Sequence, residues 1–415
     1  PFFFLADDWW LGLTSRLRFP AELRTLAEDR KRKGFTVVKL TAGLNTDCAE
    51  FDPRNANEGG QPWEPGYARI RPDYFDWADK RIEMLVQLGI APSVVGSWGF
   101  YLKSMGVHKM RQHWRYCVAR WGAYPVTWYL AMENDLPYYL STTEKEDTER
   151  AQIEWTEVGR YLKKIDPFRR PISMQSWKSG GTAQGGLRDN SILDFDSLHM
   201  GHSDRDSAVR CIQEVRVLQS AQPRIPVIPG EVVFEGIGYT NWQSTQRLVF
   251  WGAMLNGAAG FCYGANGIWQ FNRNGEPFGN SPHGRTWGGD PWDVAMNYPG
   301  SAQVGMGKRL LERYEYWKME PHPEWIVPRP REKENMPPFA AGVPGQFRII
   351  YLLNTFSRDI YVRQLEAGVP YKAYWFDPVS GAESPLGAVI SDAAGSWNVP
   401  QMPGVWDWVL VLERA

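Results

Sequence analysis

Eight short apolar runs constrain this chain more than any other feature, because each closes on acidic, amide or aromatic residues and a stretch of helical spacing separates most of them from the next. Phe2–Ala6 stops at Asp7, Asp8, Trp9 and Trp10. Phe35–Leu40 follows a helix read over Pro20–Lys33 and closed by Gly34, and Ile90–Val95 ends in Gly96, Ser97 and Trp98. Val126–Met132 ends in Glu133, Asn134 and Asp135, then breaks at Pro137 beside two tyrosines. Pro171–Met174 leads to Gln175, Ser176 and Trp177, Ile192–Met200 to His202, Pro226–Gly230 to Glu231, and Ala258–Tyr263 to a long loop rich in Gly, Asn and Trp. Apolar runs this short read as buried strands, and the amphipathic stretches between them as crossover helices. Doubly wound sheets rarely carry so many strands with a polar or aromatic group at nearly every carboxyl end. The pattern therefore predicts an α/β chain folded as a (β/α)8 TIM barrel, with its chemistry on that edge.

The helical segments fit this plan. Asp73 is expected to cap a helix that buries Phe75, Ala78, Ile82, Leu85 and Val86, and Val107–Trp121 supplies the next. Glu144–Ile165 is expected to bury Ile153, Val158, Leu162 and Ile165. Asp206–Ser220, Ser244–Asn256 and Ala302–Tyr314 complete the set. The Gly/Pro/Trp-rich loop Asn45–Tyr67 is long for a compact domain and is predicted to wall the site. Since a barrel needs ~250 residues or more, a chain of 415 residues leaves room for an accessory domain. Residues 1–320 are read as the catalytic barrel and the Pro-rich stretch 321–338 as a linker. Over 339–415 the period changes to that of short strands, which predicts a small all-β sandwich.

Charge and motif content remove several classes of function. With a formal net charge of -1 the chain has no basic field for nucleic acid, and no apolar run approaches the ~18 residues of a membrane span. Cys48, Cys117, Cys211 and Cys262 lack metal or redox spacing and are expected to be reduced. The six histidines form no HExxH, and no Walker, G-x-S-x-G or G-x-G-x-x-G motif occurs, so neither metal nor cofactor is expected. What remains is a neutral partner. The 21 Trp, 18 Tyr and 19 Phe suit a carbohydrate, whose C–H faces lie on aromatic rings. The start of the chain fits a cytoplasmic protein, or a secreted or periplasmic one after loss of an N-terminal segment. Oligomeric state is not legible.

Glu133 and Glu231 lie roughly a hundred residues apart, the separation of strands four and seven when each βα unit takes about 30 residues. Two carboxyl groups with separated pKa values suffice for glycosidic cleavage: one protonates the leaving oxygen and the other meets the oxocarbenium-like carbon. Asp135 competes with Glu133, because i and i+2 share a face in a strand. Glu235 competes with Glu231 less well, being about 13 Å further along an extended chain.

Several stretches together resemble the apiosidase-like glycoside hydrolases: FFFLADDWW, KGFTVV, YFDWADKRI, TWYLAMEN, GEVVFEG and YGANGIWQ, with a tail, YKAYWFDPVSGAE, similar to the β-sandwich that follows such barrels. The resemblance implies a retaining mechanism whose acid/base lies five residues after Trp128, at Glu133, and whose nucleophile is Glu231. It also implies that Asp7 binds sugar hydroxyls, joined by His202 and Trp269. Trp10, Trp98, Asn134, Asp135, Glu235 and Asn266, at the same strand ends, complete the expected substrate-binding set. Where this chain has Ala131, Met132 and Glu133 the family more often has Gly-Gly-Asp. The expected substrates are plant-type or other glycan side chains or glycosides. Two alternatives stay open: a non-catalytic carbohydrate-binding barrel, and a transglycosylase with the same carboxylate pair.

Overall fold

The computed structural model describes residues 1–136, 141–282, 284–328, 335–353 and 359–415. The expected break at Pro137 with its tyrosines, and the middle of the expected linker, lie outside these residues. The amino-terminal part alternates β1 (Phe4–Asp8), α1 (Ala21–Lys33), β2 (Val37–Thr41), α2 (Pro72–Gln87), β3 (Ala91–Val95), α3 (Tyr101–Trp121), β4 (Thr127–Tyr129) and α4 (Glu144–Ile165). It continues through β5 (Ile172–Ser173), β6 (Asp196–Gly201), α5 (Asp204–Gln219), β7 (Val227–Val232), α6 (Gln243–Met254), β8 (Gly260–Tyr263), α7 (Trp292–Ala295) and α8 (Pro299–Leu311).

All eight strands run parallel in a TIM-barrel order. One ladder joins β5-β4-β3-β2-β1-β8 and another joins β6 to β7. Between β7 and β8 the wall is closed by the Ala259 amide donating to the Val227 carbonyl (2.8 Å). Between β5 and β6 the Asp194 amide donates to the Ile172 carbonyl (2.8 Å). Register fills the interior: Asp8 of β1 stands opposite Lys39 of β2, so their side chains share a face and form a buried ion pair at 2.9 Å. The Lys39 ammonium reaches across the barrel to the Gly230 carbonyl at 2.7 Å and lies 5.1 Å from the Tyr129 ring centre.

Local signals explain most boundaries. Gly34, at φ +97°, ends α1 in the left-handed conformation that costs glycine little. Asp73 does not cap α2. Pro72 opens the first turn with Asp73 inside it, and Pro suits that place because the first N–H of a helix has no partner anyway. Helix α3 starts earlier than its periodicity suggests and carries a break at Gly106 (φ +72°, ψ +162°). In α4, Ile153 is 59% exposed, and Trp155, Val158 and Leu162 form the buried face. All four cysteines are buried.

The carboxyl-terminal strands are β9 (Glu320–Pro321), β10 (Ile326–Val327), β11 (Phe339–Val343), β12 (Phe347–Leu352), β13 (Tyr361–Val362), β14 (Tyr371–Phe376), β15 (Glu383–Ala388), β16 (Trp397–Asn398) and β17 (Trp408–Arg414). They form antiparallel sheets in the orders β15-β14-β17-β12-β11-β9 and β10-β13-β16. The stretch expected to be only a connector thus supplies β9 and β10. Period-two alternation divides the larger sheet's side chains between two cores. Ile350, Leu352, Ala373, Trp375, Leu410 and Leu412 face the small sheet in a sandwich core. Ile349, Tyr351, Tyr374, Phe376, Val409 and Val411 join the barrel's own core. The seam also carries a buried bidentate pair, Arg247 to Asp407 at 2.7 and 2.6 Å.

Candidate active site

A cavity of about 580 Å³ opens at the carboxyl edge of the barrel, with Glu133 and Glu231 in its wall beside Trp10, Trp98, Trp269 and Trp287. Glu133 reaches it because the chain turns sharply after β4: its φ is +45°, a left-handed value that few non-glycine residues adopt. Its Oε2 accepts a 2.7 Å hydrogen bond from Trp98 Nε1. Glu231 sits in β7, where the register with β6 slips on either side of His199 and sets His199 opposite Glu231. Gln175 Nε2 donates to Glu231 Oε2 at 2.7 Å.

Two imidazoles complete the centre. His199 is buried between the carboxylates, with Nδ1 3.6 Å from Glu133 Oε1 and Nε2 3.5 Å from Glu231 Oε1. His202 Nδ1 accepts from the Phe234 amide at 3.1 Å, so the neutral ring carries its proton on Nε2, which lies 3.3 Å from Glu231 Oε1 and donates to it. Ligand atoms of His199, His202 and Glu231 lie within 4.8 Å of one another, a spacing that fits a metal ion. The proton on His202 Nε2 makes that atom a donor to the carboxylate rather than a lone-pair ligand.

The electrostatics separate the two acids. Burial, and then the nearby Glu231 charge, push the Glu133 carboxyl well above the usual range, so it holds its proton. Burial also pushes Glu231 up, but the imidazoles of His199 and His202, the His202 hydrogen bond and the Lys39 ammonium outweigh it and hold Glu231 below the usual range. Burial lowers His199 to about 4, which leaves it neutral at neutral pH. The lasting support for an ionised Glu231 is therefore the donors Gln175 and His202 together with Lys39. Asp8 is raised to about 7, mainly by burial.

Of the residues singled out in the sequence, Glu133, Glu231, Trp10, Trp98, His202 and Trp269 line the cavity. Five others do not. Asp7 points away from it, accepting from Arg30 Nε (2.6 Å) and Trp9 Nε1 (2.7 Å), because neighbouring residues of a strand face opposite ways and Asp8 takes the inward position. The Asp135 carboxylate accepts from the amides of Trp177 (2.8 Å), Lys178 (3.1 Å) and Ser179 (2.7 Å), which commits it to clamping the loop after β5. The positive φ at Glu133 removes the strand geometry that would have given the two acids one face. Asn134 is buried and donates to the Gly186 carbonyl (2.8 Å). Glu235 accepts from the Tyr263 hydroxyl (2.6 Å) and the Gly300 amide (3.1 Å). Asn266 holds the Trp287 carbonyl (2.9 Å), so it supports a cavity wall from behind.

Residues that sequence reasoning did not select also meet here. His199 lies within β6, three residues before His202, on the same face of the strand as Ser197. Gln175 and Trp177 follow β5. Asp47 and Trp287 come from the long loops after β2 and β8 and are joined by the Trp287 Nε1 to Asp47 Oδ2 bond (3.1 Å).

Comparison with known proteins agrees with this architecture. The family model described as the apiosidase-like catalytic domain matches residues 1–318, and the model for a collagen-binding domain of a collagenase matches residues 326–413. No curated protein gives a match. Among solved structures, one described as a glycoside hydrolase is 20% identical, with the match covering 100% of this chain and 93% of the other at a TM-score of 0.79. A glycoside hydrolase family 5 protein from Bacteroides vulgatus is also 20% identical, covering 100% and 89% at a TM-score of 0.78. At this identity the likeness shows the fold.

Proposed function

The chain belongs to the apiosidase-like family of glycoside hydrolases, and we propose that it cleaves a glycosidic bond by double displacement, with Glu133 as acid/base and Glu231 as nucleophile. The observation that carries the reading is the opposite perturbation of two carboxyl groups lining one cavity, one held protonated and the other ionised. That is the division of labour the chemistry requires.

In the first step the Glu133 proton passes to the glycosidic oxygen as that bond breaks, while a Glu231 oxygen bonds to the anomeric carbon. Glu133, now ionised, takes a proton from water, whose oxygen attacks the same carbon and releases Glu231. His202 and Gln175 stay on Glu231 throughout and fix its rotamer. Trp98 does the same for Glu133. The aromatic wall supplies faces for sugar C–H groups, and the substrate on this reading is a neutral glycan or glycoside.

Proton NMR of the first-formed product tests the proposal, after a screen of aryl glycosides has identified the sugar. The initial anomer should keep the substrate's configuration, and Glu231→Gly with azide should give a glycosyl azide of inverted configuration. Inverted sugar from the unmodified enzyme would refute the nucleophile assignment, since water would then be the attacking group.

A further inference from the structure

Trp177 is 38% exposed, lines the cavity and belongs to no part of the mechanism above. Its ring centre lies 4.5 Å from that of His199, the residue between the two carboxylates. It also packs over Gly201, where an added Cβ would come within 3.3 Å of the ring. Its amide is held by Asp135, and the two amides that follow are held by the same carboxylate. The segment that presents Glu133 therefore also fixes Trp177. A large aromatic face kept in place before any ligand arrives costs little further entropy on binding.

The cavity has two sectors. Trp10, Asp47, Trp269 and Trp287 reach it from the ends of β1, β2 and β8, whereas Leu136, Ser141, Glu144 and Trp177 reach it from beyond β4 and β5, on the Glu133 side. A general acid protonates the oxygen that joins the two halves of a glycoside, so the departing half lies on the acid's side. We propose that Trp177 is the platform for the leaving group and that this group is a neutral sugar. The ring offers a face for C–H bonds, and Glu144, which lines the same sector, offers a carboxylate to sugar hydroxyls. The Glu144 charge is balanced by Lys178 Nζ at 2.5 Å, so the sector favours neither an anionic nor a cationic ligand.

The inference rests on Glu133 being the acid, and leaving-group dependence tests it. Two substrates share the sugar identified by the aryl-glycoside screen: its glycosyl fluoride, whose leaving atom is too small to touch Trp177, and its disaccharide with glucose as leaving group. Trp177→Ala should lower kcat/KM about tenfold for the disaccharide and less than about twofold for the fluoride. Trp177→Phe, which keeps a ring, should recover most of the loss. Equal losses on both substrates would overturn the proposal, since the ring would then serve only to shape the catalytic centre around His199; so would an unchanged disaccharide rate. Failure of the unmodified protein to turn over either substrate would instead refute the catalytic reading, and with it any leaving group.

Discussion

Glu133→Gln isolates the proton from everything else that Glu133 does. The amide has the volume of the carboxyl group, and its oxygen can still accept the 2.7 Å bond from Trp98, so the side chain keeps its place and loses only the ability to donate and recover a proton. A positioned general acid contributes ~10² to 10⁴ in rate, which at 1.36 kcal/mol per decade is ~2.7 to 5.4 kcal/mol of barrier. That loss should fall on substrates whose leaving group is an alcohol. It should nearly vanish in the glycosylation step with 2,4-dinitrophenolate, which departs without a proton. The pH profile gives a second reading. Because burial and the Glu231 charge raise Glu133, its acid form persists above the usual carboxyl range, and the alkaline limb of kcat/KM marks where it ionises. The acid limb, where Glu231 takes up a proton, should lie below the usual range. Glu133→Gln should abolish the alkaline limb for the activated substrate. Equal losses on both leaving groups would refute the reasoning, as would a limb that survives Glu133→Gln and disappears in Asp135→Asn.

Two further predictions concern the seam between barrel and sandwich. Arg247→Ala leaves Asp407 buried with the Tyr351 hydroxyl at 2.8 Å, and loss of one partner of a pair exposed by only 6% and 5% should cost ~3 to 5 kcal/mol in urea unfolding. Replacing both partners, Arg247→Met with Asp407→Leu, should cost far less, and a double variant as unstable as the single one would show that the stranded charge is not the cause. If residues 1–320 form the catalytic unit, ending the chain there strips Trp251 of Tyr351 and Phe376, whose rings lie 6.1 and 6.5 Å away. The shortened barrel should keep a cooperative thermal transition at a lower midpoint; an unchanged midpoint would refute an energetic role for the seam.

What could be read from residues alone was what depends on near neighbours. The alternation of short apolar runs with helical spacing, and the carboxylates at the ends of the fourth and seventh runs, are properties of local periodicity, and they led to the barrel and to Glu133 and Glu231. The face each polar residue takes depends on geometry that a sequence does not carry. Asp7 and Asp8 are adjacent and alike, yet only the register against Lys39 puts Asp8 inside the barrel, while Arg30 of α1 claims Asp7 outside it. Asp135 stayed a rival to Glu133 under strand periodicity until the left-handed turn at Glu133 sent its carboxylate to three backbone amides instead. His199 enters the site through the slipped register between β6 and β7, a pairing between strands that local periodicity does not specify. Charge state follows the same rule: two identical side chains take opposite protonation states because one is buried beside a carboxylate and the other beside donors and a lysine, and those neighbours come from distant parts of the chain.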